Sequence, residues 1–95
     1  MGYKFCRPTA GAAGYTALDT IKGEVNTLLI NSTGQIIRVV GPAADATAAA
    51  ALDAAGTYMR MESSAAAVYL INCDPSQTWI KAETGGGSLA AQFNW

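Results

Sequence analysis

The chain has 95 residues, a net charge of −1 and no histidine. This length fits one small domain with a narrow stability margin. The lack of histidine excludes histidine-based acid–base catalysis and the commonest metal ligand.

The six basic residues are isolated along the sequence, so no basic stripe is predicted that would bind a nucleic acid. The longest apolar runs fall far short of the roughly 20 residues that span a bilayer, so no membrane partner is expected. Apolar residues make up 51% of the chain, but 19 of them are alanines, which contribute little buried surface. Such a small core favours a protein that gains stability by docking onto neighbouring subunits.

The first 22 residues differ in kind from the rest. MGYKFCRPTAGAAGYTALD has few β-branched residues, contains proline and glycine, and follows neither the helical nor the strand period. We interpret residues 1–22 as an extended N-terminal arm. Tyr3, Phe5 and Tyr15 are spaced along this arm as apolar anchors, which makes them candidate interface residues.

Residues 23–95 predict a single all-β domain, a small antiparallel β-sandwich or barrel. VNTLLIN at Val25–Asn31 and QIIRVV at Gln35–Val40 are rich in β-branched residues and flank an STG turn. They predict a β-hairpin in which Gly34 adopts a positive φ. In the second strand, Ile37 and Val39 share one face.

The alanine-rich stretch at residues 43–56 leaves two alternatives open. Alanine propensity, with Asp45 as N-cap and Gly56 at the end, favours a helix. Its short length, a single large apolar side chain in Leu52, and Asp53 near the negative end of the helix dipole favour a loop or low-profile strand. Of the two, we favour the loop or strand. Either form is small and smooth enough for close approach by another subunit, so Leu52 is a candidate interface residue.

Four further strands are predicted towards the C-terminus. Thr57–Glu62 alternates, with both methionines on one side, and Ala66–Asn72 is apolar on both faces, which predicts a central strand. Gln77–Glu83 follows the CDPSQ turn, and TGGGS is expected to be a flexible connection. Ser88–Trp95 is the predicted closing strand, with Leu89, Ala91 and Phe93 on one face.

No catalytic, cofactor-binding or metal-binding residue is predicted. The seven carboxylates are dispersed, and Cys6 and Cys73 are too far apart in sequence for a zinc or CxxC site. Two unpaired thiols are favoured over a disulfide, although the sequence leaves the pairing open. Trp95 is a candidate interface residue because a terminal tryptophan is hard to bury within its own domain. An alternative is a small carbohydrate- or receptor-binding module, which would expose an aromatic cluster that includes Trp79, Tyr58 or Trp95.

Three segments resemble small β-sandwich structural proteins of tailed phages. They are IIRVV, LDAAGTYMRMESSAAAVYLIN and TWIKAETGGG, with the matching positions at 38–40, 52–58 and 78–87, over about half of the chain. The resemblance implies a capsid decoration or cement protein located in the virion. It also implies the major capsid protein or other virion subunits as partners, and a homo-oligomer.

Overall fold

The computed structural model describes residues 1–63 and 67–95, together with the backbone but not the side chain of Ala67. Ten strands and one helix are present in this part of the chain. In chain order they are β1 Tyr3–Cys6, β2 Thr9–Gly11, β3 Thr16–Ala17, β4 Val25–Asn31, β5 Ile37–Val40, α1 Ala46–Ala54, β6 Met59–Met61, β7 Ala67–Cys73, β8 Trp79–Ala82, β9 Gly86–Ser88 and β10 Ala90–Asn94.

The strands form two antiparallel four-stranded sheets that face each other across one core. Sheet I has the order β1-β10-β4-β7, and sheet II has the order β3-β8-β5-β6. A small two-stranded sheet of β2 and β9 lies beside them. The predicted small all-β antiparallel fold is therefore confirmed.

The core is built from the inward-facing residues of both sheets. Leu29 and Phe93 of sheet I and Ile37, Met61 and Ile80 of sheet II are completely buried. The residues that the sequence placed on one face together are buried together, since Ala91 is buried with Phe93 in β10 and Val39 is buried with Ile37 in β5. Burial at alternate positions is what one inward and one outward face require.

The N-terminal arm prediction needs correction. Residues 1–22 are extended, but β1 pairs with β10, β2 with β9 and β3 with β8, so the segment is part of both sheets. Leu18 is buried in the main core. Because these strands are only two to four residues long, their pairing partners specify them, and local propensity gives little signal.

Two predicted strand arrangements are also wrong. β4 and β5 do not form a hairpin, because β4 pairs with β10 and β7 while β5 pairs with β6 and β8. The connection crosses from one sheet to the other, and Gly34 within it does have the expected positive φ of 76°. β7 is the last strand of sheet I and not a central strand.

The glycine-rich segment is more regular than expected. Gly86–Ser88 forms β9 and pairs with β2, where Gly86 lies opposite Gly11. A Cβ at Gly86 would lie 2.8 Å from the carbonyl oxygen of Ala10. The absence of side chains therefore lets the backbones of β2 and β9 approach closely. The prediction that TGGGS forms a flexible connection missed this strand.

The alanine-rich stretch forms helix α1, so the loop favoured from the sequence is wrong. Asp45 caps the helix, since its carboxylate accepts a hydrogen bond of 2.8 Å from the N–H of Ala48. Gly56 follows the helix end with a φ of 79°. The arguments against a helix fail because sheet II supplies apolar contacts for Leu52 and an arginine partner for Asp53.

Candidate interaction surface

The outward side of sheet I forms a surface that we call the apolar face. Its members lie at alternate positions of the four strands: Tyr3, Phe5, Asn26, Leu28, Ile30, Val68, Leu70, Asn72, Ala90, Gln92 and Asn94. The strand register places Phe5, Gln92, Leu28 and Leu70 in one row across the sheet. No charged residue occupies any of these positions.

Large side chains on the apolar face are strongly exposed. Leu70 is 80% exposed, Tyr3 and Phe5 are each 66% exposed, and Val68 is 53% exposed. With about 250 Å² for an aromatic side chain and somewhat less for an aliphatic one, these four present about 550 Å² of surface. This is at the upper end of the patches that monomers carry, and patches of this size are typical of binding surfaces.

The outward side of sheet II, which we call the charged face, is built differently. Arg38 of β5 lies between Arg60 of β6 and Lys81 of β8 in one cross-strand row. Like charges in such positions repel each other. Asp53 and Glu83 form ion pairs with Arg38 and Arg60, so these two arginines, which are isolated in sequence, form a paired cluster in space. The third basic residue of the row, Lys81, lies over the ring of Tyr15.

The hydrogen bonds of the charged face are short. Arg38 donates to Glu83 at 2.7 Å and to Asp53 at 2.6 Å. Arg60 donates to both carboxylate oxygens of Glu83, at 3.0 and 3.1 Å. Hydrogen bonds from Arg38 and then from Arg60 lower the pKa of Glu83.

Helix α1 covers part of the charged face. Leu52 and the fully buried Ala49 pack with Tyr15, Val40 and Trp79 in a second small core. The Tyr15 hydroxyl donates to Asp53 at 2.6 Å. Burial, followed by this hydrogen bond, raises the pKa of Tyr15 well above its ordinary value. Asp53, which is unfavourable for the helix dipole, is thus held by an arginine and a tyrosine.

A cleft of about 500 Å³ opens between the two sheets beside β7. Ile71 and Cys73 border it from sheet I, and Val39 and Met59 border it from sheet II. Cys73 is a free thiol, as is Cys6. They lie on the two outermost strands of sheet I, which are about 14 Å apart at 4.8 Å per strand, and Cys73 lies four residues further along β7 than the position level with Cys6. The two thiols therefore cannot form a disulfide within the chain.

The five candidate interface residues fall into two groups. Tyr3, Phe5 and Trp95 are exposed on or beside the apolar face, with the indole of Trp95 lying over Gly2. Tyr15 and Leu52 pack in the second core beneath α1. Four residues of the apolar face were not identified from the sequence: Leu28, Ile30, Val68 and Leu70. Their two-residue spacing within each strand was the signal that they share one face.

Of the aromatic residues considered for a sugar-binding face, Tyr58 and Trp79 both pack against the second core, and Trp95 lies apart from them. Trp79 is half-buried and donates through its indole N–H to the carbonyl of Ala43 at 2.8 Å. Tyr58 is half-buried under the guanidinium of Arg38, whose Cζ lies 4.3 Å from the ring centroid. Trp95 is exposed at the far end of sheet I.

Residues 1–63 and 67–95 contain no group of three or more cysteine, aspartate or glutamate side chains placed to hold a metal ion. The helix in the described part of the chain is too short to cross a membrane. No protein-family model, curated protein or solved structure matches the chain.

Proposed function

We propose that the protein is a non-enzymatic structural component of a virion, of the capsid decoration or cement type. It binds the major capsid protein or other shell subunits through the apolar face. The observation that carries this proposal is an uncharged sheet surface on which Tyr3, Phe5, Val68 and Leu70 are all more than half exposed.

The chemistry of the surface supports a protein partner. Leu28, Ile30 and Ala90 join the aromatic edge at β1 to the aliphatic edge at β7, so a partner meets one continuous apolar surface. The low net charge of −1 permits dense packing of copies on a shell. On a symmetric shell, many contacts of moderate affinity add to a strong attachment.

The resemblance to tailed-phage structural proteins supports the choice of partner. The chain has no histidine, so a catalytic role would lack the commonest general acid or base. Asp53 and Glu83 are engaged in ion pairs that hold the fold together.

Cosedimentation with empty capsid shells of tailed phages tests the proposal. We expect binding that persists in about 1 M sodium chloride, because uncharged surfaces are not weakened by screening. Phe5→Lys and Leu70→Lys are each expected to weaken binding at least about tenfold, since each buries an unpaired charge. Thr47→Lys, at an exposed position of α1, makes the same change of charge on the opposite side and should bind like the wild type. Equal binding of all three variants would contradict the proposal.

A small carbohydrate-binding module is a second candidate. Tyr3, Trp95, Asn26 and Asn94 border a shallow depression of about 680 Å³ at the end of sheet I. Aromatic rings stack on the apolar faces of sugars, while asparagine amides donate and accept hydrogen bonds. Glycan-array binding by the wild type that is lost in Trp95→Ala, with no binding to shells, would favour this candidate.

A further inference from the structure

In the described part of the chain, the free edge of β7 carries none of the usual protection of an edge strand. An edge strand presents unpaired backbone N–H and C=O groups, which proteins usually protect by shortness, charge or proline. β3 has two residues, β6 has three including Arg60, and β1 has four including Lys4, with Pro8 two positions after its end. β7 has seven residues, AVYLINC, without charge, proline or glycine. Among the described edges of the two large sheets, β7 alone lacks every one of these features.

Apolar surface lies on both sides of this edge. On the outer side, Val68 and Leu70 are exposed. On the inner side, the cleft of about 500 Å³ separates Ile71 from Met59 of sheet II. The two sheets approach each other again near Tyr69, whose hydroxyl donates to the carbonyl of Arg60 at 2.8 Å. A strand added to β7 would therefore find backbone partners at the edge and apolar contacts above and below.

We infer that β7 pairs in antiparallel register with β7 of a second copy of this chain. A second copy supplies a strand that is already extended, whereas a flexible peptide loses about 1–2 kcal/mol of backbone entropy per ordered residue. The strands are uncharged, so their approach along a two-fold axis meets no like-charge repulsion. On the inner side of the seam, Ile71 at the border of the cleft then meets apolar side chains of the second copy.

The register follows from the length of the strand. Overlap is greatest when the two-fold axis passes through the middle residue, Leu70, which then lies opposite Leu70 of the second copy. Val68 lies opposite Asn72 of the second copy in the same register. The pairing joins two copies of sheet I into one eight-stranded sheet and doubles the apolar face. It does not require the proposed function to be correct.

The expected affinity is moderate. A seven-residue strand is about 24 Å long, and the molecule is 17 Å thick along its shortest axis. The contact therefore covers about 400 Å² per partner, half of the roughly 800 Å² of a standard interface. We expect a dissociation constant in the micromolar range.

Sedimentation equilibrium of the full chain at up to about 500 µM tests the inference. Leu70→Lys and Leu70→Glu are each expected to weaken dimerisation at least about tenfold, because like charges then face each other on the axis. An equimolar mixture of the two variants should recover a dimer, because opposite charges then face each other. Phe5→Lys is the matched control, since it lies in the same row of the apolar face on the far strand, and it should leave the dissociation constant within about twofold.

The opposite results in the sedimentation experiment overturn the inference. A wild-type chain that stays monomeric at the highest concentration, or a Leu70→Lys variant that associates like the wild type, excludes pairing at this edge. Dissociation by Phe5→Lys would indicate face-to-face association instead, and a mixture without recovery excludes a Leu70-centred register. Shell binding by a monomer would contradict this inference alone, and a dimer that does not bind shells would contradict the proposed function alone.

Discussion

The two outward faces of the molecule are both formed by antiparallel strands, but apolar residues are covered on one face and exposed on the other. On the charged face, Val40 and Trp79 are covered by α1, and each arginine has a carboxylate partner. On the apolar face, Phe5 and Leu70 are uncharged, large and exposed. The comparison teaches that the chain completes one face with its own helix, while the other face has a surface suited to a partner.

The largest expected effect is a difference in unfolding free energy between two leucine variants, one at each face. Leu52→Ala should lower the free energy of unfolding by about 1–2 kcal/mol, below the 2–5 kcal/mol of a fully buried leucine, because Leu52 is only partly buried. Leu70→Ala should change it by less than about 0.5 kcal/mol, since Leu70 is 80% exposed. Urea unfolding of the two variants measures the difference.

The unfolding measurement should be made at low micromolar concentration, where association contributes little to stability. Equal losses for the two leucines would mean that the apolar face is covered within the monomer. That result would remove the contrast between the two faces.

Two tyrosine variants, one at each face, should show a smaller difference in stability. Tyr15→Phe removes the hydroxyl that donates to Asp53 at 2.6 Å and should cost about 1 kcal/mol of stability. Tyr3→Phe removes a hydroxyl from an exposed ring and should cost less than about 0.5 kcal/mol. Thermal unfolding followed by circular dichroism compares the two, and a larger loss for Tyr3→Phe would contradict the assignment of the two faces.

The strands that bury one face were predictable from the sequence. Val25–Asn31 has the predicted bounds, and the alternation correctly placed Met59 with Met61 and Ala91 with Phe93, which pack in the same core. Period-two patterning carries this information because it reports burial directly. The same patterning does not say which strands pair, so the expected hairpin between β4 and β5 was wrong.

Other features depend on contacts between distant parts of the chain. Helix α1 is stable because Tyr15 and Arg38, remote in sequence, hold Asp53. β7 is apolar on both sides, which is typical of a central strand, yet it lies at an edge. A strand that is apolar on both sides has the same sequence pattern at an edge as in the middle of a sheet, so the pattern alone does not give its place in the sheet.

The smallest expected effect concerns the pH dependence of the charged face. Arg38 and Arg60 lower the pKa of Glu83 below its ordinary value of 4.5. The unfolded chain therefore binds the proton more readily than the folded chain does. The stabilisation from Glu83 is fully present above about pH 4.5 and is lost as the pH falls through the lower pKa of the folded state.

Glu83→Gln should therefore give a lower melting temperature at neutral pH and a shallower loss of stability below about pH 4.5. Glu24→Gln, at an exposed position just before β4, removes the same charge and serves as the control. An unchanged acid slope in Glu83→Gln would contradict the role of the ion pairs. Shell binding at neutral pH should be the same in Glu83→Gln and wild type, because the charges that stabilise sheet II lie on the opposite side from the apolar face that we propose to bind the shell.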